Sequence, residues 1–240
     1  MKILVTGHRG FIGRHVFDHL RVEDGHGYHV HGLDLPDDIS DFSGGDYDVV
    51  IHLAAFANIR DSLRDPESFY VNNVVKAKPL FDWCRTTGTR LLYASSSSVE
   101  ENYWENPYAM TKWINEQMAP VNSVGMRFYT VYAEEGGRED MMYRMLQDKT
   151  AKYVTNHKRD WIHVKDLCRA ISYILASNYR GIIPIGSGKA TKVTDLARVL
   201  GMNDLPLVED TPGERMVTCA DTTELRKMGW FPTKDVLVPS

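Results

Sequence analysis

ILVTGHRGFIG, residues 3–13, joins a short apolar run to three evenly spaced glycines and a second apolar segment. The first run predicts a buried β-strand, and the segment from Phe11 to Leu20 predicts an amphipathic helix. A strand that ends in glycines and opens a helix presents unpaired N–H groups and a positive helix end, which suit a pyrophosphate. Gly7 allows the tight turn, Gly10 allows a phosphate to approach, and Gly13 allows close helix–strand packing. The stretch therefore predicts a dinucleotide-binding unit, although its G-x-x-G-x-x-G spacing differs from the common G-x-G-x-x-G.

Asp34 follows the second predicted strand, residues 28–33, about twenty residues after the glycines. At that position a carboxylate accepts hydrogen bonds from a ribose diol and repels a 2′-phosphate. The next residue is Leu35, whereas an arginine there would attract the 2′-phosphate. Asp34 therefore favours NAD over NADP.

Short apolar runs alternate with helical patterns through most of the chain. Further strands are predicted at residues 49–53, 91–94, 125–131 and 181–185. Long helical stretches begin at Pro66 and Pro107, and we expect Pro79 to kink the first of them because proline cannot donate a backbone hydrogen bond. The alternation predicts βαβ units and an α/β fold, a Rossmann-type doubly wound parallel sheet with a small C-terminal substrate-binding subdomain.

The predicted domains are interleaved along the chain, because the alternating pattern loosens after Tyr132 and later returns. We assign residues 1–131 and 159–186 to the NAD-binding Rossmann domain. Residues 132–158 and 187–240 form the predicted small substrate-binding subdomain. The chain is long enough for this arrangement, since 240 residues of which 43% are hydrophobic can bury a full core without metals or disulfides.

The charge pattern and the cysteines limit the partners and the compartment. The formal net charge is −4 and the basic residues are scattered, so we expect no nucleic-acid or membrane partner. Cys84, Cys168 and Cys219 lie far apart, as is typical of reduced thiols in a cytoplasmic protein. His15 and His19 lie one helical turn apart but lack the glutamate of a zinc motif, so no metal site is predicted.

Tyr108 and Lys112 are four residues apart on a predicted helix and therefore share a face. A free tyrosine, with a pKa of ~10, is a poor base at neutral pH. A nearby ammonium and the positive nicotinamide ring both favour the phenolate. Ser96, at the end of a predicted strand, is placed to hydrogen-bond a substrate hydroxyl or the ketone formed from it. Y-x-x-x-K alone is also typical of exposed helices, so the trio depends on its place after the glycine loop and the serine-rich strand.

Seven motifs follow one order: TGHRGFIG (6–13), Asp34, HLAA (52–55), ASSSSV (94–99), YAMTK (108–112), RFYTVY (127–132) and RDWIHV (159–164). With these motifs the chain resembles the extended short-chain dehydrogenase/reductases, the NAD-dependent epimerase/dehydratase family, from Met1 to about Pro232. The resemblance makes Ser96, Tyr108 and Lys112 the catalytic residues, with Ser95 and Ser97 as alternatives to Ser96. It also implies a set of residues around NAD: Phe11, Ile12, Asp34, Asp38, Ile39, Leu53, Ala54, Ala55, Asn73, Tyr108, Lys112 and Tyr129.

The segments LLYASSSSV (91–99), FYTVY (128–132) and GREDM (137–141) are most similar to the UDP-glucuronate 4-epimerase branch of that family. That resemblance implies that Ser97, Ser98, Thr130 and Arg138 hold a hexuronate carboxylate, for which a guanidinium fork and hydroxyl donors are suited. It also implies that Glu214 contacts the nucleotide ribose. The alternative for Arg138 is a solvated loop charge.

The resulting hypothesis is an NAD-dependent nucleotide-sugar epimerase that inverts C4 of a UDP-hexuronate through a 4-keto intermediate. The rivals are another nucleotide-sugar epimerase or a reductase of the same family, and an NAD-binding protein without turnover. The last is suggested by segments between Ser96 and Tyr108, and after Arg138, that are shorter than the family's. The resemblance further implies a homodimer through the helices that begin at Pro66 and Pro107.

Overall fold

The computed structural model describes residues 1–23, 27–34, 38–209 and 214–238, so Leu35 lies outside the described residues. Its strands are β1 (Lys2–Thr6), β2 (His29–Leu33), β3 (Val49–His52), β4 (Arg90–Ser96), β5 (Ser123–Phe128), β6 (Thr130–Tyr132), β7 (Val154–Thr155), β8 (Lys158–His163), β9 (Gly181–Ile185), β10 (Ala190–Lys192) and β11 (Leu207–Val208). Its α-helices are α1 (Phe11–Asp18), α2 (Ile59–Arg64), α3 (Pro66–Tyr70), α4 (Lys78–Thr87), α5 (Pro107–Met118), α6 (Met142–Gln147), α7 (Val164–Ala176), α8 (Val193–Val199) and α9 (Thr223–Lys227). Short 3-10 helices occupy Ile39–Asp41, Ser97–Val99 and Tyr103–Glu105, and π-helical turns occupy His19–Glu23 and Val71–Val75.

Strands β2-β1-β3-β4-β5-β9 form a six-stranded parallel sheet in that order, which confirms the predicted α/β fold class. The strand order reverses direction at β1, whose neighbours are β2 and β3. In doubly wound sheets, ligands bind at such a switch point, beyond the carboxyl ends of the strands. The glycine loop follows β1, residues 53–58 follow β3, and the serine run ends β4. The sheet order therefore brings three of the sequence motifs to one edge.

The long helical stretch that begins at Pro66 is interrupted rather than kinked at Pro79. Helix α3 passes into the π-helical turn, and α4 starts afresh with Pro79 in its first turn. The missing N–H of proline costs nothing there, because first-turn N–H groups have no intrahelical partner. The apolar face of α4 packs with β1, β3 and β4 in one core cluster that includes Leu80, Phe81, Leu91 and Tyr93.

The chain divides into two compact units, residues 1–127 with 175–183, and residues 128–174 with 184–240. The predicted domains put residues 128–131, 159–174 and 184–186 with the glycine loop, whereas these residues belong to the second compact unit. The difference arises because the predicted strand at 125–131 is two strands. β5 joins the six-stranded sheet, while β6 pairs with β8 in a separate one. Which unit binds cofactor and which binds substrate stays a prediction.

The second unit contains a three-stranded sheet, β10-β8-β6, and a two-stranded sheet, β11-β7. Its core includes Tyr132, Leu146, Trp161 and Leu196. The buried Asp160 carboxylate accepts hydrogen bonds from the backbone N–H groups of three residues: Ser187 (2.6 Å), Gly188 (2.9 Å) and Ala220 (2.9 Å). Asp160 thus orders two loops around β8. None of the helices in the described part of the chain has the length and apolarity to cross a membrane.

Candidate active site

The glycine loop is closed by contacts that only glycine permits at two positions. Gly7 has φ +71°, and a Cβ there would lie 2.6 Å from the Ala54 backbone nitrogen. A Cβ on Gly13 would lie 1.9 Å from the Gly7 carbonyl oxygen. At Gly10 the same Cβ would meet only that oxygen, at 3.2 Å, so the space beyond Gly10 is open. The loop is therefore tightly packed on the protein side and open at the start of α1.

Two carboxylates near the end of β2 have defined partners. Asp34 Oδ2 accepts a 2.7 Å hydrogen bond from the Arg9 backbone N–H, which ties it to the glycine loop. Asp38 caps the following 3-10 helix by accepting from Ser40 and pairs with Lys76. The Lys76 hydrogen bond, followed by those from Ser40, lowers the pKa of Asp38 to about 2. Ile39, directly after Asp38, packs against the core cluster of α4. Asp34 thus faces the loop. Asp38 instead caps the 3-10 helix Ile39–Asp41, and Ile39 packs against the core cluster of α4.

Asn73 holds the loop that contains Leu53, Ala54 and Ala55. Its side chain accepts from the Phe56 N–H (2.8 Å) and donates to the Phe56 carbonyl (2.9 Å) and to Thr111 Oγ1 (3.1 Å). Asn73 is 1% exposed. Its amide is therefore committed to connecting this loop to α5, a role that the sequence did not reveal.

Lys112 is buried on α5 beneath the carboxyl end of β4. Its Nζ donates a 2.9 Å hydrogen bond to the Ala94 carbonyl and lies 5.9 Å from the centre of the Tyr108 ring. The start of α5 is fixed by Asn106, whose side chain accepts from the Ala109 N–H, and by Ser62, whose hydroxyl oxygen accepts from the Tyr108 N–H. The fold thus places a cation beside the phenol, as the four-residue spacing predicts.

The hydroxyl groups distinguish Ser96 from one of its alternatives. Ser95 is 2% exposed and its hydroxyl donates to Glu116 Oε1 at 2.6 Å. Ser96, at the end of β4, accepts a hydrogen bond from the Ser98 N–H at 3.2 Å and keeps its own proton for donation. Ser97 and Ser98 begin the 3-10 helix that follows and are half-buried. These contacts favour Ser96 over Ser95 as the hydroxyl that meets a ligand.

Burial lowers the pKa of the Lys112 ammonium to about 8 from its ordinary value of 10.5. Between those two values the unfolded chain holds a proton at Lys112 that the folded chain has released. The free energy of unfolding should therefore rise with pH in that window, by about 3 kcal/mol in total. Chemical denaturation of the wild type and Lys112→Met between pH 7.5 and 10.5 checks this. The rise should be smaller by that amount in Lys112→Met, and equal pH dependence in the two proteins would contradict it.

The second unit contains the remaining predicted site residues. Tyr129 is buried just before β6, and Thr130 opens that strand. Arg138 is exposed, and its guanidinium forms a bidentate pair with Asp140. Nε donates to Oδ1 at 2.9 Å and Nη2 donates to Oδ2 at 3.2 Å. This ion pair is consistent with the solvated-loop alternative for Arg138. The pair uses Nε and one N–H of Nη2, so the remaining N–H groups of the guanidinium are left for a bound carboxylate.

Glu214 lies in a buried ionic cluster of the second unit. It pairs with Arg159 (3.1 Å), and its Oε2 lies 3.8 Å from the ring nitrogen Nδ1 of His157. Burial lowers the pKa of the Arg159 guanidinium, and Glu214 partly offsets this. From the sequence, Arg159 was expected only as part of the RDWIHV motif, with no role of its own. Its charge gave no signal of such a role, because β8 (KRDWIH) begins with three consecutive charged residues.

The chain matches the family model described as the NAD dependent epimerase/dehydratase family over residues 3–186. The protein belongs to this family. The match covers the glycine loop, β4, α5 and the RDWIHV motif, which confirms the resemblance drawn from the motifs. Members of the family are NAD-dependent enzymes that act on nucleotide sugars.

Two relatives and one solved structure show how far the similarity of this chain extends. Protein CapI of Staphylococcus aureus is 31% identical over 235 residues, which cover 73% of this chain and 69% of that protein. UDP-glucose 4-epimerase of Rhizobium meliloti is 25% identical, with coverage of 98% and 93%. The structure of UDP-glucuronic acid 4-epimerase from Bacillus cereus, in complex with UDP-glucuronic acid and NAD, has a TM-score of 0.84 at 23% identity, with coverage of 99% and 96%.

NAD is the cofactor of this epimerase/dehydratase family, which confirms the cofactor prediction. The described residues fit a dinucleotide at two points. The space above Gly10 and the start of α1 is open to a phosphate, and the Asp34 carboxylate is held against the same loop. Among the described residues, no cluster of three His, Cys, Asp or Glu side chains is arranged for a metal ion.

The buried ion pair of Glu116 and Arg127 was not predicted from the sequence. Glu116 lies on α5 one turn beyond Lys112, and Arg127 ends the first segment of the first unit. Arg127 donates from Nε and Nη2 to the two oxygens of Glu116 at 2.9 and 2.8 Å. The pair joins a helix to a strand eleven positions later in the chain. No local pattern signals such a contact, because it depends on how α5 packs across the sheet.

Proposed function

We propose that this family member is an epimerase that inverts C4 of a UDP-hexuronate, with Ser96, Tyr108 and Lys112 as its catalytic residues. When bound, NAD supplies the reversible hydride acceptor that such chemistry requires. The observation that carries the proposal is the buried Lys112 ammonium, held between the Ala94 carbonyl and the Tyr108 ring. A cation fixed at that position favours the phenolate form of Tyr108, which is what makes a tyrosine usable as a base.

The protein's part of the reaction is to move one proton and to hold the oxygen that loses it. Tyr108 Oη takes the proton from the sugar 4-hydroxyl as C4 becomes a ketone. The Ser96 hydroxyl donates a hydrogen bond to the keto oxygen. When the ketone is reduced on its other face, Tyr108 returns the proton to the oxygen. The residues thus end the cycle in their starting protonation states.

A hexuronate adds a hazard, because a ketone at C4 is beta to the carboxylate and invites loss of CO2. We propose that Thr130, Arg138, Ser97 and Ser98 hold the carboxylate away from that alignment, and that Glu214 contacts the ribose. By the resemblance to the family, its 4,6-dehydratases carry Asp-Glu after the catalytic residue, and its decarboxylating enzymes usually carry Glu at the second of those positions. This chain has Ser97-Ser98, which supports epimerisation over either elimination or decarboxylation.

Incubation of the purified protein with NAD and UDP-glucuronate, followed by chromatography of the nucleotide sugars, tests the proposal. We expect UDP-galacturonate to form up to an equilibrium mixture, with no net change in NADH absorbance. Absence of UDP-galacturonate, with the protein folded and loaded with NAD, would reject the hexuronate specificity.

The same assay separates the rival functions. Inversion of UDP-glucose or another neutral nucleotide sugar would identify an epimerase of a different branch. Steady consumption of NADH in the presence of a 4-keto sugar would indicate a reductase. Tight NAD binding with no change in any nucleotide sugar would identify a binding protein, the alternative that the shortened segments favour.

We also propose a homodimer that forms through α3, the π-helical turn and α5. Helices α3 and α5 pack together in the first unit. Large apolar side chains on this surface are exposed, including Tyr70 at 48% and Val75 at 49%. A second copy of the chain would cover them.

Val75→Glu should therefore convert the dimer to a monomer, because it would bury a charge in the interface. Val121→Glu is the matched control, since Val121 is 97% exposed in the loop between α5 and β5. Sedimentation velocity of both variants checks the prediction. A monomeric wild type, or a Val75→Glu dimer as stable as the control, would exclude this interface.

The exposed thiol of Cys219 supports a cytoplasmic location as a further part of the proposal. Cys84 is buried and Cys219 is exposed, and neither forms a disulfide. An exposed unpaired thiol is typical of proteins in a reducing compartment. Cell fractionation checks this, and recovery in an oxidising compartment would contradict it.

A further inference from the structure

The buried carboxylate of Glu116 connects three elements at the carboxyl edge of the six-stranded sheet. It accepts the Ser95 hydroxyl at 2.6 Å from β4 and two guanidinium N–H groups of Arg127 from β5, while itself standing on α5. Its side chain is 5% exposed and that of Arg127 is 23% exposed. The pair is thus largely shielded from solvent. In that environment its charge-assisted hydrogen bonds keep a fixed geometry.

The position of Glu116 relates it directly to the proposed catalytic residues. One turn earlier on α5, Lys112 donates to the carbonyl of Ala94. One residue further along β4, Ser95 donates to Glu116. Two consecutive residues of β4 are therefore tied to two consecutive turns of α5. Ser96 follows directly on the strand, and Tyr108 lies one turn before Lys112 on the helix.

A contribution to stability does not by itself explain the buried ion pair of Glu116 and Arg127. Replacing such a pair with apolar residues of similar volume is often neutral or stabilising, because taking both charges out of water is costly. A hydrogen-bonded carboxylate, unlike an apolar side chain, fixes the orientation of the donors that it contacts. Arg127 binds both oxygens of Glu116, and the remaining capacity of Oε1 is directed at the Ser95 hydroxyl.

We propose that Glu116, oriented by Arg127, is a positioning residue that sets the distance between Ser96 and Tyr108 by holding Ser95. The inference rests on the proposed function of those two residues. Its consequence is that the Ser95 hydroxyl matters for the chemical step, although it touches neither substrate nor cofactor. Displacements of about 1 Å at a reacting centre can cost up to about 100-fold in rate.

The test compares Ser95→Ala with Ser123→Ala. Ser123 is also a buried serine on a strand of the first unit, and its hydroxyl donates a single hydrogen bond to the Pro120 carbonyl. Both substitutions remove one buried hydroxyl, and Ser95→Ala should lower the melting temperature more because its bond to the carboxylate is charge-assisted. Rates are therefore measured well below both melting temperatures. We expect kcat per NAD-loaded site to fall about tenfold or more in Ser95→Ala, with KM within about twofold, and to stay near wild type in Ser123→Ala. Equal kcat in the two variants would overturn the proposal.

Crystal structures of the same variants give a second readout that needs no turnover. We expect the distance from Ser96 Oγ to Tyr108 Oη to change in Ser95→Ala and not in Ser123→Ala. An unchanged distance in Ser95→Ala would overturn the inference even if the wild type proves inactive. A wild type without turnover, together with a changed distance in Ser95→Ala, would reject the proposed function and leave the positioning role standing.

Discussion

Tyr108→Phe is expected to lower kcat by about 1000-fold, the middle of the range for loss of a general acid–base group. The substitution removes only the phenolic oxygen. The ring that faces the Lys112 ammonium at 5.9 Å is kept, so the fold and NAD content should not change. The phenol is the only group in the proposed trio assigned to take the proton, and phenylalanine has no atom that can replace it.

Tyr103→Phe is the matched control for this experiment. Tyr103 lies in the 3-10 helix just before α5 and stacks on Trp113 with ring centres 4.9 Å apart. Phenylalanine preserves that stacking, so kcat should stay within about twofold of wild type. Rates are measured by chromatography of nucleotide sugars at equal NAD occupancy. A Tyr108→Phe enzyme that retains a tenth or more of the wild-type kcat would show that another group carries the proton.

Gly13→Ala is expected to disrupt the glycine loop and to abolish NAD binding. The added methyl would lie 1.9 Å from the Gly7 oxygen and 2.7 Å from the Gly7 carbonyl carbon. Both atoms are backbone, so the strain can be relieved only by moving α1 away from the end of β1. Overpacking of this kind commonly costs about 1–3 kcal/mol of stability. The loop would also lose the shape that receives a pyrophosphate.

Gly10→Ala separates the effect on the fold from the effect on the cofactor. Its methyl would meet only the Gly7 oxygen, at 3.2 Å, and would otherwise occupy the open space where we expect the phosphate. Stability should therefore change little while the Kd for NAD rises about tenfold or more, which is about 1.4 kcal/mol or more of binding energy. Thermal unfolding and titration calorimetry with NAD measure the two effects. Undiminished NAD affinity in Gly10→Ala would show that the pyrophosphate does not bind at this loop.

The parts of the site that the sequence predicted are those set by local patterns. The glycine loop follows from a strand, a tight turn and a helix start within residues 3–13. The contact of Lys112 with Tyr108 follows from the helical repeat alone. Asp34 and Ser96 were predicted as site residues because Asp34 directly follows β2 and Ser96 ends β4, and both strands belong to the parallel sheet.

The parts that the sequence did not predict depend on tertiary contacts. Nothing near Asn73 indicates that its amide connects the loop after β3 to Thr111, since the contact spans 38 residues. The bond from Ser95 to Glu116 requires knowing which face of β4 meets α5. In contrast, Asp140 stands two residues after Arg138, and that spacing could have indicated an ion pair from the sequence.

The domain boundaries depend on a break that hydrophobicity does not reveal. Residues 125–131 (GMRFYTV) are mostly apolar or aromatic, a composition typical of one strand. The chain in fact leaves the six-stranded sheet after Phe128, and only Tyr129 separates β5 from β6. Both sheets bury apolar side chains, so the pattern continues unchanged while the partner strands change.

The central claim is that the C4 hydrogen leaves the sugar and returns to it while Tyr108 carries only the oxygen's proton. Incubation with UDP-glucuronate deuterated at C4, in ordinary water, tests this most directly when the product is analysed by NMR and mass spectrometry. We expect UDP-galacturonate that retains deuterium at C4, with no net NADH. Product that carries solvent hydrogen at C4 would contradict the claim.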